Sequence, residues 1–326
     1  MPANLYEQQA SNRRRTWGVM VLFVAFLFVL GYGFDRFYLE VPYPVVGLIA
    51  FVFASTSAVS GYLRGDRAVL ASCKAVPIDQ LAIDRASPEI KFKLTQLENV
   101  VDEMVIASGL PRPKLYLIDD PDPNAFATGR DPERASIAVT AGLLDALGRD
   151  ELQGVIAHEM SHVRNYDIRL LTVVAALVGA IALIADWTMR VMRFGGGGGG
   201  KSSDSRGKKG GGGASILFFV WIVAIVLAPL VAQVLAMMVS RRREYLADAS
   251  GAELTRNPLA LASALDKVDA AAGPTRAIKR GTANLCIVDP LARSIGKKEG
   301  RWADLLASHP PMATRIAALR EMAYLG

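Results

Sequence analysis

Length, composition and charge exclude several classes of protein. The chain has 326 residues, 52% of them hydrophobic, and its mean hydropathy of +0.27 is high for a water-soluble protein. The formal net charge is +6, but the basic clusters stand at the ends of apolar stretches, which favours membrane orientation and lipid headgroups over nucleic acid. These clusters are Arg13–Arg15, Arg64 with Arg67, and Arg241–Arg243.

Four apolar segments reach, or nearly reach, the roughly 20 residues that a helix needs to cross the hydrocarbon core of a bilayer. The first is followed by Asp35 and Arg36 without a small-residue cleavage pattern, so we predict a retained anchor and not a signal peptide. We expect two transmembrane hairpins, one within residues 1–63 and one within residues 169–239. The four spans are about 17–34, 45–63, 170–192 and 214–239.

A polar segment, residues 64–168, follows the first hairpin and is predicted to form the first part of a soluble domain. Within it, Ser87 and Pro88 begin an amphipathic pattern that Gly109 ends, which predicts a capped helix. Short runs of strand-forming residues, separated by turn residues, predict a hairpin or small sheet. These runs are 114–118, 124–128 and 136–140.

The second hairpin carries a low-complexity insert, GGGGGGKSSDSRGKKGGGG, at residues 195–213. No predicted strand or helix start accompanies it, as a phosphate-binding loop would require, so we interpret it as a flexible linker. Residues 240–326 are predicted to form the second, mostly helical part of the soluble domain. Its last helix should start at the Pro310–Pro311 pair, with Ile316 and Leu319 facing inwards.

The segment AHEMSH, residues 157–162, is predicted to lie on a helix that starts at Asp150, whose side chain can accept hydrogen bonds from the first turn. His158 and His162 project about 100° from the centre of an apolar stripe. Histidines four residues apart on a helix can reach one Zn²⁺, and Glu159 can take a proton from water without binding the metal. The competing interpretation is two surface histidines and an unrelated glutamate. The stripe consists of Leu152, Val155, Ile156, Met160 and Val163.

A catalytic zinc site has three protein ligands and one open position, so a third ligand is needed. The candidates are His309, the remaining histidine, and a carboxylate. Glu244 and Asp248 are four residues apart where the fourth span continues as a helix, so Glu244 can bind the metal and Asp248 can accept a spare histidine NH. His162 lies just before the third span and Glu244 just after the fourth, so two crossings return the chain to the same membrane face.

Several motifs together resemble the HtpX family of membrane zinc metalloproteases, which are relatives of the CAAX prenyl endopeptidases. The motifs are HEMSH, EYLAD, the upstream PNAFATG, and the downstream SHPP with Arg315 six residues beyond its histidine. With four spans and a glycine-rich loop, the resemblance covers nearly the whole chain. It implies a mostly α fold with a small β-sheet, namely an α+β zincin-like domain of the gluzincin type, on a four-helix transmembrane region.

The resemblance also implies one Zn²⁺ per chain and a role for each matching residue. An edge strand beside the cleft would pair with an extended substrate, although the same residues fit a purely structural strand. The implied zinc ligands are His158, His162 and Glu244, with Asp248 behind a ligand histidine. The implied catalytic residues are Glu159, as general base, and His309, for oxyanion or substrate, unless His309 makes only a structural hydrogen bond. The implied substrate-binding residues are Asn124, Ala125, Phe126 and Arg315, although an arginine on a helix also fits a salt-bridged face.

Charge predicts that both termini and the soluble domain are cytoplasmic. Basic residues precede the first span and follow the second, whereas the loop of residues 35–44 has little positive charge. The basic insert opposes this orientation for the second hairpin, and Asp186 and Arg190 leave open whether the third segment crosses fully. We expect a multi-pass protein of a bacterial or archaeal cell membrane.

Other functions fit parts of the sequence. An intramembrane protease would carry the motif inside an apolar helix, whereas charged residues flank it here. A small transporter would explain Asp186, Pro229 and Gln233 within the spans, but no inverted repeat is present. A noncatalytic zinc-stabilised scaffold would need the ligands but not Glu159. The sequence therefore favours an endopeptidase; by resemblance, its substrates would be damaged or misassembled membrane proteins, with prenylated peptides as the alternative.

Overall fold

The computed structural model describes residues 5–37, 39–81, 87–194, 241–271, 285–287 and 310–325. Within these ranges the fold is mostly helical with one small mixed sheet, which confirms the coarse architecture predicted from the sequence. The described helices are α1 (Leu5–Phe37), α2 (Val45–Ser72), α3 (Pro88–Ser108), α4 (Ala141–Ala146), α5 (Arg149–Arg164), α6 (Asp167–Phe194), α7 (Arg241–Thr255), α8 (Pro258–Ala270) and α9 (Met312–Leu325).

Four short strands form the sheet, namely β1 (Val76–Pro77), β2 (Lys114–Ile118), β3 (Ala125–Thr128) and β4 (Ser136–Thr140). Their order across the sheet is β1–β2–β4–β3. β2 and β4 are parallel, and their register runs from Lys114 opposite Ser136 to Ile118 opposite Thr140. β1 and β3 run antiparallel to their neighbours. β3 therefore lies at one edge of the sheet.

Short-range signals predict several of these elements correctly. Ser87 caps α3, because its Oγ accepts a hydrogen bond from the backbone N–H of Ile90 at 3.4 Å. Gly109 ends the helix with φ of +68°, a conformation that costs glycine little. β2 and β4 have the predicted bounds, and β3 begins one residue later than predicted. In α9, Ile316 and Leu319 are buried as predicted.

The predicted start of α5 is wrong by one residue, and its cap is a different side chain. Glu151, and not Asp150, accepts a hydrogen bond from the backbone N–H of Gly148, at 2.8 Å. A glutamate three residues into the capping sequence can reach back to this N–H, whereas Asp150 points into solvent. The predicted apolar stripe of α5 is buried throughout.

Two described helices are long and apolar enough to cross a membrane, Gln9–Arg36 in α1 and Val45–Ser72 in α2. They contain the first two predicted spans. Large apolar side chains such as Val21 and Ile49 are each 65% exposed, as expected for a surface that faces lipid. α6 contains the third predicted span in one continuous helix. The fourth predicted span and the glycine-rich insert lie outside the described residues.

A buried carboxylate joins the two helices of the first hairpin. Asp35 of α1 accepts hydrogen bonds from the backbone N–H groups of Val46, at 2.9 Å, and Gly47, at 2.8 Å, in the first turn of α2. Its negative charge also interacts favourably with the positive, N-terminal end of the α2 dipole. The helices approach so closely here that a Cβ atom on Gly31 would lie only 2.8 Å from the Gly47 Cα. The hairpin is therefore one tightly packed unit.

α5 is the centre of the soluble part. Its buried side chains belong to a hydrophobic core that also includes residues of α3, the sheet, α8 and α9. Gly154 permits close packing on α8, since a Cβ there would lie 3.0 Å from the Leu261 Cα. A second cluster joins α1, α2 and α6, and a third joins α2 and α6 to the sheet through Phe126. The C-terminal end of α5 therefore lies where the apolar helices meet the soluble part.

We predict a pH-dependent stability contribution from Glu151, which joins α5 to α8. Its carboxylate accepts hydrogen bonds from Ser263 Oγ and Lys267 Nζ, both at 2.6 Å. Burial alone would raise its pKa, but Lys267, Ser263 and the Gly148 N–H together hold the pKa below the ordinary 4.5. Because the folded-state pKa is depressed, the stabilisation is present above pH 4.5 and is lost as the pH falls through the folded-state value.

Glu151→Gln should therefore lower the free energy of unfolding by about 1 to 2 kcal/mol at pH 7. The difference from wild type, measured as the midpoint of thermal unfolding in detergent, should narrow when the pH is lowered below 4.5. The matched control is Asp150→Asn, which removes an exposed charge from the same helix turn and should cost less. If the midpoint of Glu151→Gln stays below that of wild type by the same amount down to pH 3, the depressed pKa of Glu151 does not contribute to stability.

Candidate metal and active site

Three side chains from two helices converge as the structure's candidate metal ligands. His158 and His162 come from α5, Glu244 comes from α7, and one donor atom of each lies within 4.8 Å of the others. His158 Nε2 is 3.9 Å from Glu244 Oε2, and His162 Nε2 is 3.7 Å from Glu244 Oε1. The exposed fraction of each residue is 5% or less. The structure thus brings together the three residues that the sequence selects.

Close packing of α7 on α5 makes this convergence possible. A Cβ atom on Gly251 of α7 would lie 3.0 Å from the backbone N and 3.2 Å from the Cα of His158. Glycine permits that approach without displacing the backbone of His158, whereas a larger residue would push the two helices apart by a few tenths of an ångström. Glu244 and Asp248 lie on the same helix, about two turns and one turn before Gly251, respectively, so the close approach at Gly251 brings both carboxylates to the histidines.

The donor set fits a zinc ion. Two imidazole nitrogens and one carboxylate oxygen are ligands that zinc commonly takes in catalytic sites, with the fourth position left for water or substrate. Tetrahedral ligands at about 2.1 Å from zinc lie about 3.4 Å apart, which is close to the observed separations between Glu244 and the two histidines. A cation would also compensate the buried carboxylates.

Glu159 lies between the two histidines in sequence and is buried, with 1% of its surface exposed. Burial raises the pKa of its carboxyl group, whereas the charges of His158 and His162 and a hydrogen bond from the backbone N–H of Ala127 act in the opposite direction. Ala127 belongs to the edge strand β3. Glu159 is therefore positioned by the sheet and stays outside the three-residue ligand set.

Asp248 connects His158 to Arg315. Asp248 Oδ1 lies 2.9 Å from His158 Nδ1, where the ring N–H can donate to it. Arg315 of α9 donates from Nη2 to Oδ1 at 2.7 Å and from Nε to Oδ2 at 2.8 Å. Burial alone would raise the pKa of Asp248, but Arg315 and His158 hold it below the ordinary value. A histidine whose Nδ1–H is held in this way presents Nε2 to a metal.

Arg315 is completely buried, and all its described contacts are internal. Besides Asp248, its Nη1 lies 3.4 Å from Glu244 Oε2 and donates to the backbone carbonyl of Ile287 at 3.1 Å. Burial lowers the pKa of Arg315, but the negative charges of Asp248, Glu244 and Glu159 raise it more. The structure therefore places Arg315 behind the ligands and not on a surface open to substrate.

Asp167 supports the second histidine, and the sequence motifs do not predict it. Asp167 Oδ2 lies 3.1 Å from His162 Nδ1, and Asp167 Oδ1 accepts from Arg243 Nη1 at 3.2 Å. Burial alone would lower the pKa of His162, but Asp167, Glu244 and Glu159 raise it to about 9. A metal cation that binds at neutral pH must therefore displace a proton from His162. The only signal in the sequence was an aspartate five residues after the second histidine.

Asn124, Ala125 and Phe126, the residues expected to bind substrate, are all at most 1% exposed. The backbone carbonyl of Ala125 accepts a hydrogen bond from the N–H of Ile287 at 2.9 Å. Phe126 packs in the cluster that joins the sheet to α2 and α6. In the described structure, the segment that contains Ile287 therefore occupies the edge of β3 at Ala125. His309 lies outside the described residues, three positions before α9.

The fold and site define a class of protein. A helix that carries HExxH is joined by a carboxylate ligand from a second helix, and two apolar helices of membrane-spanning length pack beside them. This combination is typical of membrane-associated metallopeptidases.

Comparisons with known proteins agree with this class. The model of peptidase family M48 matches residues 92–323, so the chain belongs to that family and is a metalloprotease. A protease HtpX homolog from Caldanaerobacter subterraneus is 41% identical over 319 residues, which cover 98% of both chains. Another, from Lactiplantibacillus plantarum, is 43% identical over 320 residues, which cover 98% of this chain and 100% of the relative. The crystal structure of S. mikatae Ste24p is 18% identical, with a TM-score of 0.46, and the match covers 96% of this chain and 67% of that one.

We predict that Gly251→Ala weakens metal binding without touching a ligand. The added methyl group would press on the backbone of His158, which cannot turn aside as a side chain can. α7 must then shift by a few tenths of an ångström and carry Glu244 away from His158. Zn²⁺ affinity, measured by competition with a chromophoric chelator, should fall about tenfold or more.

The matched control for Gly251→Ala is Gly179→Ala on α6, where an added Cβ would meet nothing within 4 Å. This variant should bind Zn²⁺ as wild type does. Wild-type affinity in Gly251→Ala would show that the contact between α7 and α5 does not set the position of Glu244.

Proposed function

We propose that this metalloprotease is a zinc-dependent endopeptidase that cuts peptide bonds of damaged or misassembled membrane proteins at the cytoplasmic face. The observation that carries the proposal is the meeting of His158, His162 and Glu244 beside Glu159, which is buried and not needed as a ligand. A site built only to bind zinc would gain nothing from Glu159, because a buried carboxylate that does not bind the metal is costly. The proposed cofactor is one Zn²⁺ per chain, in a zincin-type domain of the gluzincin kind.

Glu159 is the proposed general base. A bound zinc ion supplies Lewis acidity, which polarises a substrate carbonyl and makes water more acidic. Glu159 takes the proton from the attacking water and then gives it to the leaving amine, so one carboxyl group serves both steps. The Ala127 N–H fixes the carboxylate while this happens. Asp248 and Asp167 keep the two ligand histidines in the tautomer that faces the metal.

Five residues extend the proposal towards substrate. His309, three residues before α9, would stabilise the oxyanion or bind substrate, and Arg315 on that helix reaches Asp248 and Glu244. Asn124, Ala125 and Phe126 belong to or precede the edge strand β3, along which an extended peptide would pair. For a peptide to pair at Ala125, Ile287 must first leave the Ala125 carbonyl. Arg315 would act on substrate only indirectly, through the buried acids.

A membrane anchor of four helices is part of the proposal, in two hairpins of which the first precedes the soluble domain and the second interrupts it, as the sequence predicts. α1 and α2 form the first hairpin, and α6 contains the third span. Basic residues before the first span and after the second support an active site and termini on the cytoplasmic side. Lipid is therefore a permanent partner, and substrates within or beside the bilayer are close to the site.

The test compares metal content with turnover in the purified full-length protein. Glu159→Gln should keep about one zinc per chain and lose cleavage of an unfolded model protein by about 10²- to 10⁴-fold. Glu244→Ala should lose the zinc, because only two protein ligands remain. Metal would be measured by mass spectrometry after dialysis, and cleavage by release of fluorescent peptides in detergent.

The matched control is Glu253→Gln, which changes an exposed glutamate of α7 and should alter neither measurement. Substantial turnover by Glu159→Gln would show that Glu159 is not the general base. Full zinc content in Glu244→Ala would show that another residue is the third ligand.

A further inference from the structure

Asn12, on the first apolar helix, contacts the aspartate that is bonded to the candidate metal ligand His162. Asn12 of α1 donates from Nδ2 to Asp167 Oδ1 at 2.7 Å, and the same nitrogen donates to the backbone carbonyl of Asn165 at 3.0 Å. Asp167 is the residue that holds His162 through its other oxygen. The carboxylate of Asp167 therefore links α1 directly to the candidate metal ligand His162.

The orientation of the Asn12 amide follows from its surroundings. Both neighbours of Nδ2, a carboxylate and a carbonyl, can only accept hydrogen bonds, so the NH₂ group and not the amide oxygen must face them. Its two N–H groups are therefore both used. Asn12 is 4% exposed and Asp167 1% exposed, so water is poorly placed to replace the bond.

The bonds to Asp167 divide between its two oxygens. Asn12 Nδ2 and Arg243 Nη1 both lie on Oδ1, at 2.7 and 3.2 Å, whereas Oδ2 faces His162 Nδ1 at 3.1 Å. Two donors on one oxygen fix the rotation of the carboxylate and so direct the other oxygen at the imidazole. The ring of His162 then presents Nε2 towards Glu244.

The backbone between the histidine and the aspartate is also constrained. Tyr166 has φ of +58°, the left-handed conformation that a bulky residue rarely adopts. It lies in the two-residue turn between α5 and α6, from which Asp167, at the start of α6, contacts His162. The carbonyl of Asn165 in this turn is the second acceptor of Asn12. Asn12 therefore holds both the turn and the carboxylate that it positions.

We propose that Asn12 is a positioning residue for the metal ligand His162, so that the packing of the first membrane helix sets the affinity of the site for its metal. The inference rests on the proposed zinc site. It adds that the anchor is part of the metal centre's own support, and that loosening α1 weakens metal binding even though no ligand is changed.

The test measures the Zn²⁺ affinity of the full-length protein in detergent by competition with a chromophoric chelator. Asn12→Leu keeps the size of the side chain and removes its donors, and it should weaken Zn²⁺ binding about tenfold or more. The matched control is Gln9→Leu, one turn earlier on α1. Gln9 donates at 3.1 Å to the backbone carbonyl of Arg164 but has no bond to Asp167, so its loss should change affinity by less than about twofold.

A double-variant cycle separates positioning from general packing. If Asn12 acts through Asp167, then Asn12→Leu should cause no further loss in the background of Asp167→Ala. A purely structural bond would weaken binding equally in both backgrounds and would lower the melting temperature of the metal-free protein as much as that of the zinc form. The visible absorption of the Co²⁺-substituted protein, which reports ligand geometry, should change in Asn12→Leu and not in Gln9→Leu.

The outcomes distinguish this inference from the proposed function. If wild type binds Zn²⁺ and cleaves protein while Asn12→Leu has wild-type affinity and an unchanged Co²⁺ spectrum, the positioning role is wrong and the zinc site stands. Equal losses of affinity in Asn12→Leu and Gln9→Leu, or additive losses with Asp167→Ala, also overturn it. If wild type binds no Zn²⁺, both proposals fail.

Discussion

The bidentate ion pair between Asp248 and Arg315 is the interaction on which the site most depends. Four carboxylates with little access to water surround the two histidines, and buried negative charge is costly unless cations and hydrogen bonds compensate it. Arg315 contacts two of these carboxylates, on Asp248 and Glu244, from one guanidinium group that has no exposed surface. Lysine has no planar fork and could not make the same paired contact. The C-terminal helix α9 is therefore required for the ligands on α5 and α7.

The two ligand histidines have separate supports. His158 is held through Asp248 by α7 and α9, which are packed with α5 and α8 in the soluble core. His162 is held through Asp167, which belongs to α6 and is bonded to α1 and α7. The first support is thus internal to the soluble part, and the second comes mainly from the long apolar helices α1 and α6. Glu244 joins the two supports because α7 takes part in both.

Short-range patterns predict much of this structure, because helix periodicity, caps and turn residues are local. They predict the HExxH helix, the capped α3 and two strands with their observed bounds, and the predicted pairing of Glu244 with the two histidines agrees with their convergence in the structure. Bonds between buried polar groups across long separations leave no such pattern. Asn12 and Asp167 are 155 residues apart, and nothing near either residue indicates the other. Arg315 is likewise predicted from the sequence to bind substrate or to lie on a salt-bridged helix face, because its burial depends on how α9 packs and no local pattern indicates that packing.

The position of the third ligand along the chain has a consequence during synthesis. The ribosome must produce residues 163–243 after His162 and before Glu244. At about 5 to 20 residues per second, this takes several seconds. A nascent chain in that interval has His158, Glu159 and His162 but not yet Glu244, the third candidate ligand. The three candidate ligands can therefore meet only after α7 has been made.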